Sequence, residues 1–238
     1  MKLRMAVDQT SLERRWRYGL GVRILIGFVA LFMYGIAAVL ICLPLLESGS
    51  DHSFDWIIYL TGGMMVLFGM FMTFYWMVLA RTSIRLNGAN LEAIVPAHHT
   101  WYLAPEFRRI DVPLRKIRSV DRRQEIWRSF GASNLRESLS IVTDGGERIG
   151  VVSNSLGYSP TLPIDDIASS IASAAGVSVT NGGTVRSKDL GLYGATSSSW
   201  NEPKLDPAVA SAARRAAYRT MQIVTALMLV TLVLRGCF

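Results

Sequence analysis

Cysteine is nearly absent. Cys42 and Cys237 are the only two in 238 residues, and both are expected to stay free rather than to bridge. Histidine is almost as scarce. His98-His99 is the one adjacent pair, but neighbours on an extended chain point in opposite directions, and no Cys lies nearby to complete a ligand set. No metal is therefore expected. No glycine-rich phosphate loop and no nucleophile elbow occurs, since Thr143-Asp144-Gly145-Gly146-Glu147 has the pattern of a hairpin turn. An enzyme is not expected and no cofactor is implied; a site completed only on oligomerisation is the remaining route to catalysis. Charged residues make up 18% of the chain against 50% hydrophobic, a balance shifted toward lipid.

Charge is missing above all from two stretches. Ile24 to Leu46 holds no charged residue, and neither does Trp56 to Ala80. Crossing a bilayer takes about 20 helical residues, so either run is long enough, and the loop 47–55 between them is too short for a domain. The pair predicts a transmembrane hairpin over 24–80. With no Asp, Glu, Lys, Arg or His inside either span, a pump or ion-coupled transporter is not expected. Gly27, Gly35, Ala38, Gly69 and Thr73 offer small surfaces for close helix approach. The first run is too long for the core of a signal peptide and closes on Pro44-Leu45-Leu46-Glu47, so it is expected to remain as an anchor.

The charges that are present add to +7. Lys2, Arg4, Arg14, Arg15, Arg17 and Arg23 crowd the arm 1–23, against Asp8 and Glu13. The loop has Glu47, Asp51 and Asp55 with no Lys or Arg, and Arg81 and Arg85 follow the second run. By the positive-inside rule the N-terminus and 81–215 are cytoplasmic, with loop 47–55 and the C-terminus outside. Trp16, Tyr18, Trp56, Tyr59, Trp76 and Tyr218 are the expected membrane-interface anchors. Leu12 to Arg17 has a helical look, either an amphipathic segment on anionic headgroups or charges that only set topology.

From 81 to 180 the pattern becomes that of a small domain. Strands are predicted over 82–86, 91–95, 106–112, 117–127, 135–143 and 147–153. In the fourth, Arg118, Val120, Arg122, Gln124 and Ile126 share a face. Leu139 and Ile141 are expected to face Ile149 and Val151. A helix follows, capped by Thr161, with Pro163 in its first turn, Asp165-Asp166 on its dipole and Gly176 as its stop. Residues 181–206 are rich in Gly and Ser and suggest a flexible linker. Asp206-Pro207 then opens a helix over 207–238. Its stretch 216–234 is expected to be a third span with Arg219 snorkelling, the alternative being a helix lying in the interface.

Arg109-Ile110-Asp111-Val112-Pro113-Leu114-Arg115-Lys116-Ile117-Arg118-Ser119-Val120 resembles the strand, Pro-Leu, Ile-x-x-Val segment of the pleckstrin-homology-like (PH-like) domains of bacterial membrane proteins. Leu139-Ser140-Ile141-Val142-Thr143-Asp144-Gly145-Gly146-Glu147-Arg148-Ile149 resembles the hairpin that follows in that family. The resemblance covers 81–179. It implies an α+β membrane protein of the bacterial inner membrane, whose cytoplasmic antiparallel barrel or sandwich is capped by a C-terminal helix. It also implies a binding or scaffolding role, and no catalytic residue carries over.

One constellation stands out, combining Trp101, Tyr102, Phe107, Arg108, Arg109, Arg115, Lys116, Arg118, Arg122, Arg123, Trp127, Arg128 and Phe130. Of these, Arg108, Arg109, Arg115, Lys116, Arg118, Arg122, Arg123 and Trp127 are the candidate contacts for anionic lipid or a partner. Nucleic acid is not expected, because Glu106, Asp111, Asp121 and Glu125 are interleaved and the nearest polyanion is the membrane. Two functions follow. The first is an accessory, assembly or scaffolding subunit that binds other membrane-protein subunits. The second is a tethered sensor of anionic lipid or a small ligand.

Overall fold

The two uncharged runs become two long helices packed side by side. The computed structural model describes residues 13–46, 55–97, 105–129, 132–156, 161–186, 200 and 202–236. Helix α1 (Leu20–Leu46) and helix α2 (Asp55–Arg81) are 27 residues each. They pack as an antiparallel pair, with Trp76 beside Gly27, Tyr34 beside Gly69 and Ile41 beside Gly62. At Gly69 a β-carbon would stand 3.0 Å from the Tyr34 ring, so glycine is what lets the helices close. The Tyr34 and Thr73 hydroxyls meet at 3.3 Å, which satisfies both inside an apolar contact. Among the described residues α1 and α2 are the two helices long and apolar enough to cross a membrane. Only 11% of either window is buried inside the protein, unlike the core helix of a water-soluble domain.

The rest is an α+β domain built on two four-stranded sheets. In the first, β1 (Glu13–Arg17), β2 (Ser83–Asn87), β3 (Asn90–Pro96) and β4 (Phe107–Pro113) lie side by side in that order, all antiparallel. A single 3-10 turn, Leu114–Lys116, leads to the second sheet. There β5 (Ile117–Ser129), β6 (Ala132–Thr143) and β7 (Arg148–Leu156) form a meander. Helix α3 (Ile164–Ala175) follows, then β8 (Val179–Arg186), which pairs parallel to β5 on its free edge. The core is one cluster in which Ile84, Leu86 and Leu91 of the first sheet meet Val120, Ile141 and Val151 of the second and Ile167 and Ile171 of α3.

Two segments depart from expectation. Glu13–Arg17 is a strand rather than a helix. Trp16, opposite Ile84, turns into the core, where its indole Nε1–H donates to Asp166 Oδ2 at 2.7 Å. Sheet pairing outweighs local helical preference here because one buried tryptophan and a row of ladder bonds stabilise the extended form. Likewise, 181–186, the start of the expected linker, belong to strand β8, and 187–199 of that linker lie outside the described residues. The Gly182-Gly183 pair of β8 forms a kink, in which the Gly183 amide donates to Asn181 Oδ1 at 2.9 Å and Gly183 adopts φ +72°. That kink matches a register shift between Arg122 and Gln124 of β5.

Smaller differences follow local geometry. A bulge at Leu139/Ser140 sets Leu139 opposite Val152 instead of Val151, while Ile141 faces Ile149 as expected. Pro163 takes the cap position of α3 and no side chain, Thr161 included, bonds there, whereas Gly176 closes the helix in the left-handed conformation. Helix α4 (Pro207–Gly236) opens with the Ala208 amide donating to Asp206 Oδ1 at 2.8 Å, the cap that Asp206-Pro207 predicted.

Candidate functional site: the basic strands

Strand β5 sends alternate side chains to opposite faces. Val120, Arg122, Gln124 and Ile126 stand opposite Ile141, Leu139, Glu137 and Leu135 on the α3 side. Asp121, Arg123 and Glu125 point the other way. Arg118 is exposed and falls out of the expected row, because the register shifts between Ile117 and Ser119. Arg122 is held by Asp165 of α3 and by Glu137 at 3.8 Å.

On the far face lies a polar layer that sequence reasoning missed. Arg136 stands directly opposite Glu125, and Arg123 Nε donates to Glu125 Oε1 at 2.9 Å while Arg136 Nε donates to Oε2 at 3.0 Å. Burial pushes the Glu125 carboxyl up, but Arg136 and then Arg123 outweigh it and hold the group below the usual carboxylate range. Trp200 closes this layer. Its ring lies 3.9 Å from the Arg123 guanidinium and 4.5 Å from that of Arg148, while Arg148 donates to Ser140 Oγ at 3.0 Å. The first turns of α4 continue the cover, with Ala210 buried and Arg214 Nη2 donating to Thr184 Oγ1 at 3.4 Å. Arg123 therefore does not present a surface charge. It is a member of a buried triad, which corrects its place among the candidate contacts.

The remaining candidates do not converge. Arg115 and Lys116 sit exposed on the 3-10 turn, at the end of β4 opposite Asn90. Arg108, at the other end of that strand, reaches Glu147 at 3.4 Å. Arg109 is exposed beside it. Trp127 pairs in the β5–β6 ladder opposite Asn134, and its side chain lies outside the described set, as does that of Arg128. His98, His99, Trp101, Tyr102, Phe130 and Cys237 fall outside the described residues, and Cys42 is free.

The expected interface anchors divide as well. Trp56, Tyr59, Trp76 and Tyr218 are exposed, as an anchor requires. Trp16 is in the core, and Tyr18 packs against that core, where burial and then the nearby Tyr75 hydroxyl push its own hydroxyl up to about 12. Trp16 is corrected from an interface anchor to a part of the domain, because β1 places it on the inner side of its sheet, and Tyr18, just past the end of that strand, packs against the same core. Compared with models of protein families, with curated proteins and with solved structures, the chain matches none.

Proposed function

We propose that this chain is a non-catalytic integral membrane protein that presents a PH-like domain on the cytoplasmic side, as an accessory, assembly or scaffolding subunit of a membrane complex. The observation that carries this is the β1–β2 pairing. Arg17 stands opposite Ser83, one residue on either side of a helical hairpin, so the domain is bolted to its helices without a linker. A platform of that kind transmits position between a membrane partner and a soluble one. The uncovered apolar sides of α1 and α2, such as Phe28, Leu31 and Phe32, and Leu60, Met64 and Leu67, suit either lipid or the helices of a partner.

What supports the PH-like reading is the element order, with four antiparallel strands, three more, and then α3 as the closing helix. β8 and α4 are additions to that plan. The cytoplasmic placement rests on the distribution of Arg and Lys around the hairpin. The apolar second half of α4, 216–234, is a third span in this reading, reached from the domain surface that its first turns cover. The test is purification of the full chain from its native membrane in mild detergent. A stoichiometric protein partner that survives washing supports the subunit reading. Elution alone with lipid retained overturns it in favour of a tethered lipid sensor.

A further inference from the structure

The first sheet carries a charge gradient on its outer face. Directly opposed residues share a face, so the registers Arg17↔Ser83, Ser83↔Ile94 and Ile94↔Arg109 define one outer rung across all four strands. This rung adjoins the hairpin, since α2 ends at Arg81 and β2 begins at Ser83. Its charges are two arginines and no acid. Phe107, two residues before Arg109, lies on the same face with the Arg81 guanidinium 5.4 Å over its ring. The next outer rung, Arg15, Arg85, Glu92 and Asp111, is neutral, and the third carries Glu13 with Asn87 and Asn90. Positive charge is thus concentrated where the sheet meets the helices, and cancels or reverses farther out.

We propose that Arg17, Arg81 and Arg109, with Ile94 and Phe107 between them, form a binding surface for the headgroups of acidic phospholipids in the bilayer that the hairpin crosses. This rests on the membrane reading above. Arg17, Arg81 and Arg109 are exposed, and among the described residues no ion pair engages them. Ile94 is 38% exposed, an apolar contact at headgroup depth. The surface displaces the 3-10 turn from the lipid role. Four residues of strand carry Arg115 and Lys116 about 13 Å farther from the hairpin, beyond a Debye length of about 8 Å at physiological salt.

The test uses the full chain reconstituted in phosphatidylcholine bilayers, with spin-labelled phosphatidylglycerol and phosphatidylcholine as probes of the lipid in contact with the protein. A headgroup-level cation is worth a factor of about five. Arg109→Glu is therefore expected to remove most of the preference for phosphatidylglycerol, and Arg17→Gln/Arg81→Gln/Arg109→Gln to abolish it. The charge-keeping Arg109→Lys and the distal Arg118→Glu leave it intact, and 1 M NaCl weakens it in the wild type. No preference in the wild type, or its loss in Arg118→Glu but not in Arg109→Glu, overturns the proposal. Arg109→Glu keeps the inference testable if the triple variant misfolds, because Arg109 is exposed on edge strand β4. Release of the wild type from membranes by alkaline carbonate would overturn the membrane reading itself; retention without lipid preference overturns only this surface.

Discussion

Replacing Glu125 with Gln keeps the shape of the side chain but removes the negative charge between two guanidinium groups. In the native protein the three side chains are nearly closed to water, 2% exposed for Arg123, 3% for Glu125 and 9% for Arg136. Removing one member of a buried ion pair costs about 3–5 kcal/mol, because the remaining charge stays desolvated without compensation. A domain is held by about 5–15 kcal/mol in all, so the loss is a large share. With a urea dependence of about 2 kcal/mol per molar, the unfolding midpoint should fall by roughly 2 M. The assay is a urea titration in detergent followed by tryptophan fluorescence in a Trp56→Phe/Trp76→Phe background, leaving Trp16, Trp101, Trp127 and Trp200, all outside the hairpin, as reporters. The triple variant Arg123→Met/Glu125→Leu/Arg136→Met should recover most of the loss, since an apolar replacement of a buried triad is often neutral or stabilising. The pH dependence gives a second reading. The folded carboxyl is held low by Arg136 and Arg123 against the effect of burial. Its contribution is therefore complete above the unfolded value of about 4.3 and is lost as pH falls through the folded value. Glu125→Gln should lack that acid limb. A midpoint shift below about 0.5 M, or an acid limb unchanged in the variant, would refute the idea that the triad is buried and paired.

Trp200→Ala should cost about 1–2 kcal/mol through its two cation–π contacts, and hydrogen exchange should quicken in 179–186 before it does in β6. Trp16→Phe should cost about 1–3 kcal/mol, since Asp166 loses its buried donor, and a double-mutant cycle with Asp166→Asn should show coupling between them. Raising pH should destabilise the domain as it passes from 10 toward about 12, because the Tyr18 hydroxyl ionises more readily unfolded than folded; Tyr18→Phe should flatten that alkaline limb in a thermal unfolding series. Gly182→Ala places a β-carbon 3.2 Å from the Arg122 carbonyl oxygen and 3.0 Å from Arg123 Cβ, so it should loosen β8 and raise protease sensitivity after residue 186.

Strands β2 to β7 and helix α3 were legible because each announces itself locally, through alternation, a turn dipeptide or a helical apolar stripe. The two missed strands lack such signals. In Glu13-Arg14-Arg15-Trp16-Arg17 a single apolar side chain faces inward, and the pairing partner Ile84 lies beyond the entire hairpin. Val179–Arg186 carries two glycines and pairs parallel to a strand far back in the chain, so its composition matches a linker. Arg123 was misplaced for a related reason. Alternation places Arg123 and Glu125 on the face of β5 away from the core, which ordinarily means water. Among the described residues, Trp200 and the start of α4, from another region of the sequence, turn that face into an interior.

The strand that precedes the hairpin and the strand that follows it share one ladder, and this has a consequence for how the protein is made. A nascent chain produces β1 first, but nothing for it to pair with exists until both helices have been synthesised. In the proposed membrane topology, a second helix that failed to return would leave β2 on the opposite side of the bilayer. The slot for Trp16 then stays empty and the β2 edge is left open to proteases and to aggregation. On that proposed topology, completion of the domain would report that the insertion before it was correct. Fusion of a folding-dependent reporter to the domain would turn this single pairing into a readout of topogenesis.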